Sequence, residues 1–181
     1  MKSVSRPGIG GKFKFKSKLE EGSFGEQKII KAWPNNFIRY ADGREHDLIV
    51  LPRNSSVEVK TETYWTLDSS SNFFMERFSK DTTFDSGGPW RAYEDSVEIF
   101  ISFFIQNGVL FWFEDLEKLI YKIEDYVKKY NKRPSSIPNF GYNTIGWAIP
   151  RHYLEDCYVR LELGQRTNLF NIKGEKQNEC E

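Results

Sequence analysis

The spacing of apolar residues along this chain changes several times, and each change predicts an element. Over 114–132, Leu116, Leu119, Ile120, Ile123, Val127 and Tyr130 recur at helical spacing with charged residues between them. That pattern predicts an amphipathic helix whose stripe packs on a core. Earlier, Leu48-Ile49-Val50-Leu51 and Val57-Glu58-Val59-Lys60-Thr61 read as two strands around a Pro-Arg-Asn-Ser-Ser turn, which makes them a hairpin. A second hairpin is expected from 97–105 and 109–113, joined through the Asn-Gly of Gln106-Asn107-Gly108. Nearer the start, Ser17 or Ser23 caps a helix that runs to about Trp33 and stops at Pro34. Residues 37–40 form a short strand, and Ala41-Asp42-Gly43-Arg44 turns into the next. A polar loop at 67–71 precedes an apolar segment at 73–78, and Gly87-Gly88-Pro89 then breaks the chain and opens a short helix to Asp95. Beyond the long helix, 133–138 reads as a loop, followed by short strands at 144–149 and 158–163.

These elements predict an α+β or α/β fold, a mixed central sheet flanked by helices, with a C-terminal helix and short strands after it. The pattern contains no internal repeat and no second domain. Residues 17–172 are expected to be one domain, 1–16 a flexible basic arm in which Phe13 and Phe15 could form a short strand, and 173–181 a disordered tail.

Composition narrows the classes. At 181 residues the chain can bury a core without staples, and fifteen Phe make that core ring-rich. No apolar run reaches membrane-spanning length, and the opening MKSVSRPGIGG has no signal-peptide core, so no membrane partner is expected. Cys157 and Cys180 do not make a disulfide framework, and with His46 and His152 they give no zinc spacing; a cytoplasmic, reducing setting is expected. The formal charge is zero, which disfavours a generic nucleic-acid binder. The first eighteen residues nonetheless hold Lys2, Arg6, Lys12, Lys14, Lys16 and Lys18 with no acid, either a solvated arm or one that contacts phosphate.

The chemistry concentrates at 47–60. Side chains alternate along a strand, so Glu58 and Lys60 share one face while Val57 and Val59 take the other. With Asp47 opening the neighbouring strand, two carboxylates and an ammonium gather at adjacent strand ends. Such a cluster is costly inside a fold unless it is used, and a divalent metal would use it. In the preceding helix, Glu26, Ile30 and Trp33 stand at i, i+4 and i+7, which places an acid on an apolar stripe. Either Glu26 serves the site or it makes a structural ion pair with Lys60 or an Arg.

A helix with Glu26, then Asp47, then Glu58-Val59-Lys60 on the next strand resembles the PD-(D/E)XK nuclease superfamily, over roughly the first two thirds of the chain. Asn72-Phe73-Phe74-Met75-Glu76 and Gly87-Gly88-Pro89-Trp90-Arg91-Ala92 are similar to segments of phage-type and junction-resolving members. One position departs from the pattern: His46, not proline, precedes Asp47. The resemblance implies a restriction-endonuclease-like αβββαβ core and a divalent-metal-dependent DNA endonuclease. On that reading Asp47, Glu58 and the Val59 backbone carbonyl bind Mg²⁺, with Mn²⁺ able to substitute, and Glu26 joins directly or through water. Lys60 orients or deprotonates the attacking water, or stabilises developing charge.

Arg91 and Tyr93, at a helix start, and Lys12, Lys14 and Lys16 are candidates for DNA contact. Glu62 reads as a rim charge, and Glu76 as a partner of Arg77 or Arg91 or a residue projecting toward the site, outside the catalytic set. Cutting both strands would need two sites and hence a homodimer. The competing function is a catalytically silent nucleic-acid- or protein-binding module on the same fold.

Overall fold

The computed structural model describes residues 18–40, 47–63, 66–139 and 141–165. The expected basic arm with Lys12, Lys14 and Lys16, the residue His46 and the tail lie outside these residues.

The chain is mixed α and β. Helix α1 (Lys18–Ala32) leads into β1 (Phe37–Arg39), β2 (Leu48–Val50) and β3 (Ser55–Glu62). After β4 (Asn72–Phe78) come α2 (Gly88–Glu94), β5 (Ile99–Phe104), β6 (Val109–Phe113) and α3 (Leu116–Lys129). Strands β7 (Ser135–Pro138) and β8 (Asn143–Pro150), a 3₁₀ helix (Arg151–Cys157) and β9 (Val159–Glu162) complete it. Two sheets result. The larger has the order β1-β2-β3-β5-β6-β9, antiparallel throughout except for the parallel β3–β5 pair. The smaller is antiparallel, in the order β4-β8-β7.

The parallel pair has a topological cause. A chain leaving β3 must cross back before it can run alongside it, and here β4 and α2 make that crossover. Each face of the large sheet has its own apolar cluster. Val57, Val59, Ile101 and Phe103 pack against Ile29 and Trp33 of α1. On the opposite face Phe100, Phe104, Phe111 and Phe113 pack with Phe73 and Met75 of β4 and with Leu119 and Ile123 of α3. Helix α3 starts where Asp115 accepts the Lys118 amide hydrogen at 2.9 Å, an N-terminal cap. Its buried residues are Leu116, Leu119, Ile123 and Tyr126, while Tyr130 is about half exposed.

Two expectations change. Residues 133–138 are not all loop, because Ser135–Pro138 forms β7 on β8. It is an edge strand, mostly exposed, where proline and serine are tolerated because one side needs no ladder. The expected mixed central sheet is accompanied by a second, smaller sheet, to which the apolar segment 73–78 contributes β4. Among the described residues no helix is long and apolar enough to cross a membrane.

Candidate functional site

Strand β2 begins at Leu48, opposite Val57, whereas β3 continues to Glu62. Beyond that pairing the Val59 amide has no β2 backbone acceptor, and the Asp47 carboxylate supplies one: Val59 N–H donates to Asp47 Oδ2 at 2.8 Å. Asp47 is further fixed by its own amide, which donates to the Val57 carbonyl at 3.0 Å. Its side chain is thereby anchored next to Glu58. Burial pushes the Asp47 carboxyl up to about 6; the Val59 amide pulls against the rise, the Glu26 charge adds to it, and Arg91 and Arg39 oppose it. Glu58 goes further, to about 8, through burial first and the Asp47 charge second, with Arg91 again opposing. Burial weakens both acids and the Asp47 charge adds to the effect on Glu58, so a cation between them would offset the cost of ionising them.

Lys60 stands on the same face as Glu58. Its ammonium donates to the Phe74 carbonyl of β4 at 2.8 Å, lies 3.4 Å from Glu62 Oε1 and sits 5.0 Å over the Phe74 ring. Glu62 is not a rim charge: its side chain is only 11% exposed. The small sheet covers that end of β3, which alternation alone could not reveal.

Helix α1 docks on β3 through Gly25. A Cβ there would collide with Thr61 Oγ1, so only glycine permits the approach. The buried stripe of α1 is Gly25, Ile29 and Trp33, with Ile30 half-buried. This is one position round from the predicted stripe of Glu26, Ile30 and Trp33, so Glu26 lies on the stripe's flank. There its side chain, 13% exposed, pairs with Arg39 of β1 at 2.6 Å, and Arg39 also donates to Ser23 Oγ at 2.8 Å. The partner is an Arg, not Lys60. Glu26 still bears on the site, since its charge raises both Asp47 and Glu58.

Between β3 and the small sheet lies a cleft of about 460 Å³ with Glu58, Lys60, Glu62, Glu76 and Arg91 on its walls. Arg91 reaches it from α2, which opens at Gly87-Gly88, and pairs along the helix with Asp95 at 3.4 Å. Tyr93 does not share this cleft. It is about half exposed and lines a separate hollow with Ser96, Glu114 and Leu116. Glu76 is the residue sequence reasoning left out of the catalytic set. Its signal was an acid two positions from Phe74 in an apolar strand, which alternation places on Phe74's face, toward the cleft. The glycine pair is shaped around it, because a Cβ at Gly87 would meet Glu76 Oε1 at 2.5 Å.

No family model, curated protein or solved structure matches the chain.

What the site can hold follows from its own donors. Among the described residues no three His, Cys, Asp or Glu side chains cluster as a ready-made metal cage. Asp47 and Glu58 do supply two hard oxygen donors, both made weaker acids by burial, and Glu58 also by the Asp47 charge. The Val59 carbonyl belongs to the residue whose amide anchors Asp47. Mg²⁺ keeps several waters and needs only one or two carboxylates, so this donor set fits it.

Proposed function

We propose that the protein is a divalent-metal-dependent deoxyribonuclease of the PD-(D/E)XK type, hydrolysing phosphodiester bonds in DNA. One observation carries the reading: Asp47, at the head of β2, and Glu58, on β3, lie half-buried side by side with their acidities suppressed, and Lys60 follows on the Glu58 face. Buried like charges are expensive, and a fold that keeps them is more economically explained by a cation than by structure. The order α1-β1-β2-β3-β4-α2-β5, with β4 set apart in the small sheet and β5 parallel to β3, is similar to the αβββαβ core expected of that superfamily with one strand inserted, and supports the reading.

The reaction adds a water oxygen to phosphorus and breaks one P–O ester bond, giving a phosphomonoester and an alcohol. A Mg²⁺ or Mn²⁺ ion held by Asp47, Glu58 and the Val59 carbonyl would supply Lewis acidity and a more acidic water. Lys60 would orient that water, accept its proton when neutral, or stabilise charge growing on the phosphate oxygens. Arg91, on the cleft wall, would pair with a non-bridging oxygen. Glu26, steadied by Arg39, would hold a water or a second ion at the flank.

The second reading, a catalytically silent binding module, has one observation in its favour. The Lys60 ammonium is already engaged by the Phe74 carbonyl and Glu62, as a structural lysine would be. Calorimetry with Mg²⁺ and a cleavage assay on labelled DNA separate the two. Metal binding with metal-dependent cleavage, lost in Glu58→Gln, supports the nuclease; metal binding without cleavage of single-stranded, duplex, flap or four-way DNA supports the silent module.

A further inference from the structure

The Glu58–Lys60–Glu62 row faces inward, onto the small sheet, instead of outward onto open surface. Across from it stand Phe74 and Glu76 of β4 and Tyr142 at the start of β8. From this arrangement we infer that the strand cleaved is unpaired: the cleft admits single-stranded DNA or a splayed DNA end and excludes an intact duplex. The inference rests on the nuclease reading above and names its substrate.

Three features carry it. The first is size. The cleft, open on one side, has a volume of about 460 Å³. That is within the roughly 300–1,000 Å³ range of pockets that take one small ligand. A nucleotide is such a ligand; a double helix is not.

The second is restraint. The Lys60–Phe74 hydrogen bond, 2.8 Å, ties β3 to β4 across the cleft. Beneath it Phe73 packs edge-on against Phe111 with ring centres 4.8 Å apart, so β4 is seated on the core. Widening the cleft enough for a duplex would break both contacts.

The third is wall chemistry. Glu58, Glu62 and Glu76 share the cleft with Lys60 and Arg91. Carboxylates on both walls would repel the phosphates of a second strand, whereas one strand can bring a single phosphate to Arg91 and Glu58. The Tyr142 ring on the same walls is of the kind on which unpaired bases stack, the usual means of holding single strands without sequence preference.

The test uses the full chain with three labelled DNAs: a single strand, its blunt duplex, and the duplex with a single-stranded tail. Cleavage is followed with Mg²⁺ or Mn²⁺, and binding by anisotropy with Ca²⁺. Cleavage of the single strand and tail at least tenfold faster than the blunt duplex is expected, with cuts confined to unpaired nucleotides. Tyr142→Ala should weaken single-strand binding about tenfold, the loss of one stacked base, with Mg²⁺ binding unchanged and Tyr142→Phe restoring it. Equal or faster cutting of the duplex overturns the inference and leaves the nuclease standing. Tight, selective binding of the single strand without any cleavage keeps the inference for binding and sinks the nuclease. Failure to bind or cut any of the three overturns both.

Discussion

The Asp47 carboxylate accepts the Val59 amide hydrogen at 2.8 Å, so the residue that would bind metal through its side chain also terminates the hydrogen bonding of β2 with β3. Charge and strand pairing are joined in one side chain, and substitutions can part them. Asp47→Asn keeps an oxygen for the Val59 amide and removes the charge, whereas Asp47→Ala removes both. In metal-free buffer at pH 8 the Ala variant should be the less stable by about 1 kcal/mol, the usual net worth of such a bond. For a chain this size that is about 2–4 °C in melting temperature. Both variants should lose Mg²⁺ binding in calorimetry, and parental affinity in either removes Asp47 from the ligand set.

Lys60→Ala should abolish cleavage while leaving most of the Mg²⁺ affinity, because the ion is assigned to carboxylates. It should also lower the melting temperature, since the Phe74 carbonyl loses its donor. Near-normal single-turnover rates in this variant would return Lys60 to a purely structural role.

Stability should depend on pH in a particular direction. Asp47 and Glu58 have folded-state values raised to about 6 and about 8, above their ordinary carboxylate values of 3.8 and 4.5. The folded state therefore holds more protons than the unfolded chain between those limits. Their contribution is fully present below about pH 4 and is lost as pH rises through 6 and then 8. In chelator the melting temperature should fall across that window from this pair. Saturating Mg²⁺ should flatten the fall, and Glu58→Gln should remove its upper part. A profile unchanged by Glu58→Gln would mean that Glu58 is ionised in the fold without help.

Glu26→Gln should lower cleavage tenfold or more, the scale of a residue that orients a metal's surroundings, with part of the loss recovered in Mn²⁺. The Arg39 pair is the rival explanation. Arg39 is 47% exposed, and half-exposed pairs contribute little. Arg39→Ala should accordingly change stability by less than about 1 kcal/mol. Melting curves and single-turnover rates on both variants decide the matter: a destabilised but fully active Glu26→Gln protein makes the residue structural.

The sequence made local geometry legible and left long-range geometry hidden. The turn chemistry of 51–56 and the alternation of Val57 to Lys60 were enough to place Glu58 and Lys60 on one strand face. The helical period over 114–132 was equally plain, because polar and apolar positions there hardly mix. The destination of β4 was not legible. Phe73 and Met75 alternate like residues of any half-buried strand, and nothing local says that their partner is β8, some seventy residues later. The burial of Glu62 was hidden for that reason, and which of its stated settings Glu76 takes was left open, since both owe their surroundings to the small sheet. In α1 the error was rotational. Ile30 and Trp33 outweighed a glycine in the reading of the stripe, yet Gly25 is the point of closest approach to β3.

That approach restricts how the two elements can change. Gly25 and Thr61 occupy space that admits only one side chain, and the Thr61 hydroxyl, buried there, has no hydrogen-bond partner. Residue 25 cannot gain a side chain while residue 61 keeps its own. Any relative that enlarges residue 25 must shrink residue 61 in the same lineage, or α1 lifts and carries Glu26 away from Asp47 and Glu58. Covariation of these two sites, neither of them charged, would thus register selection on the acidic cluster beside them.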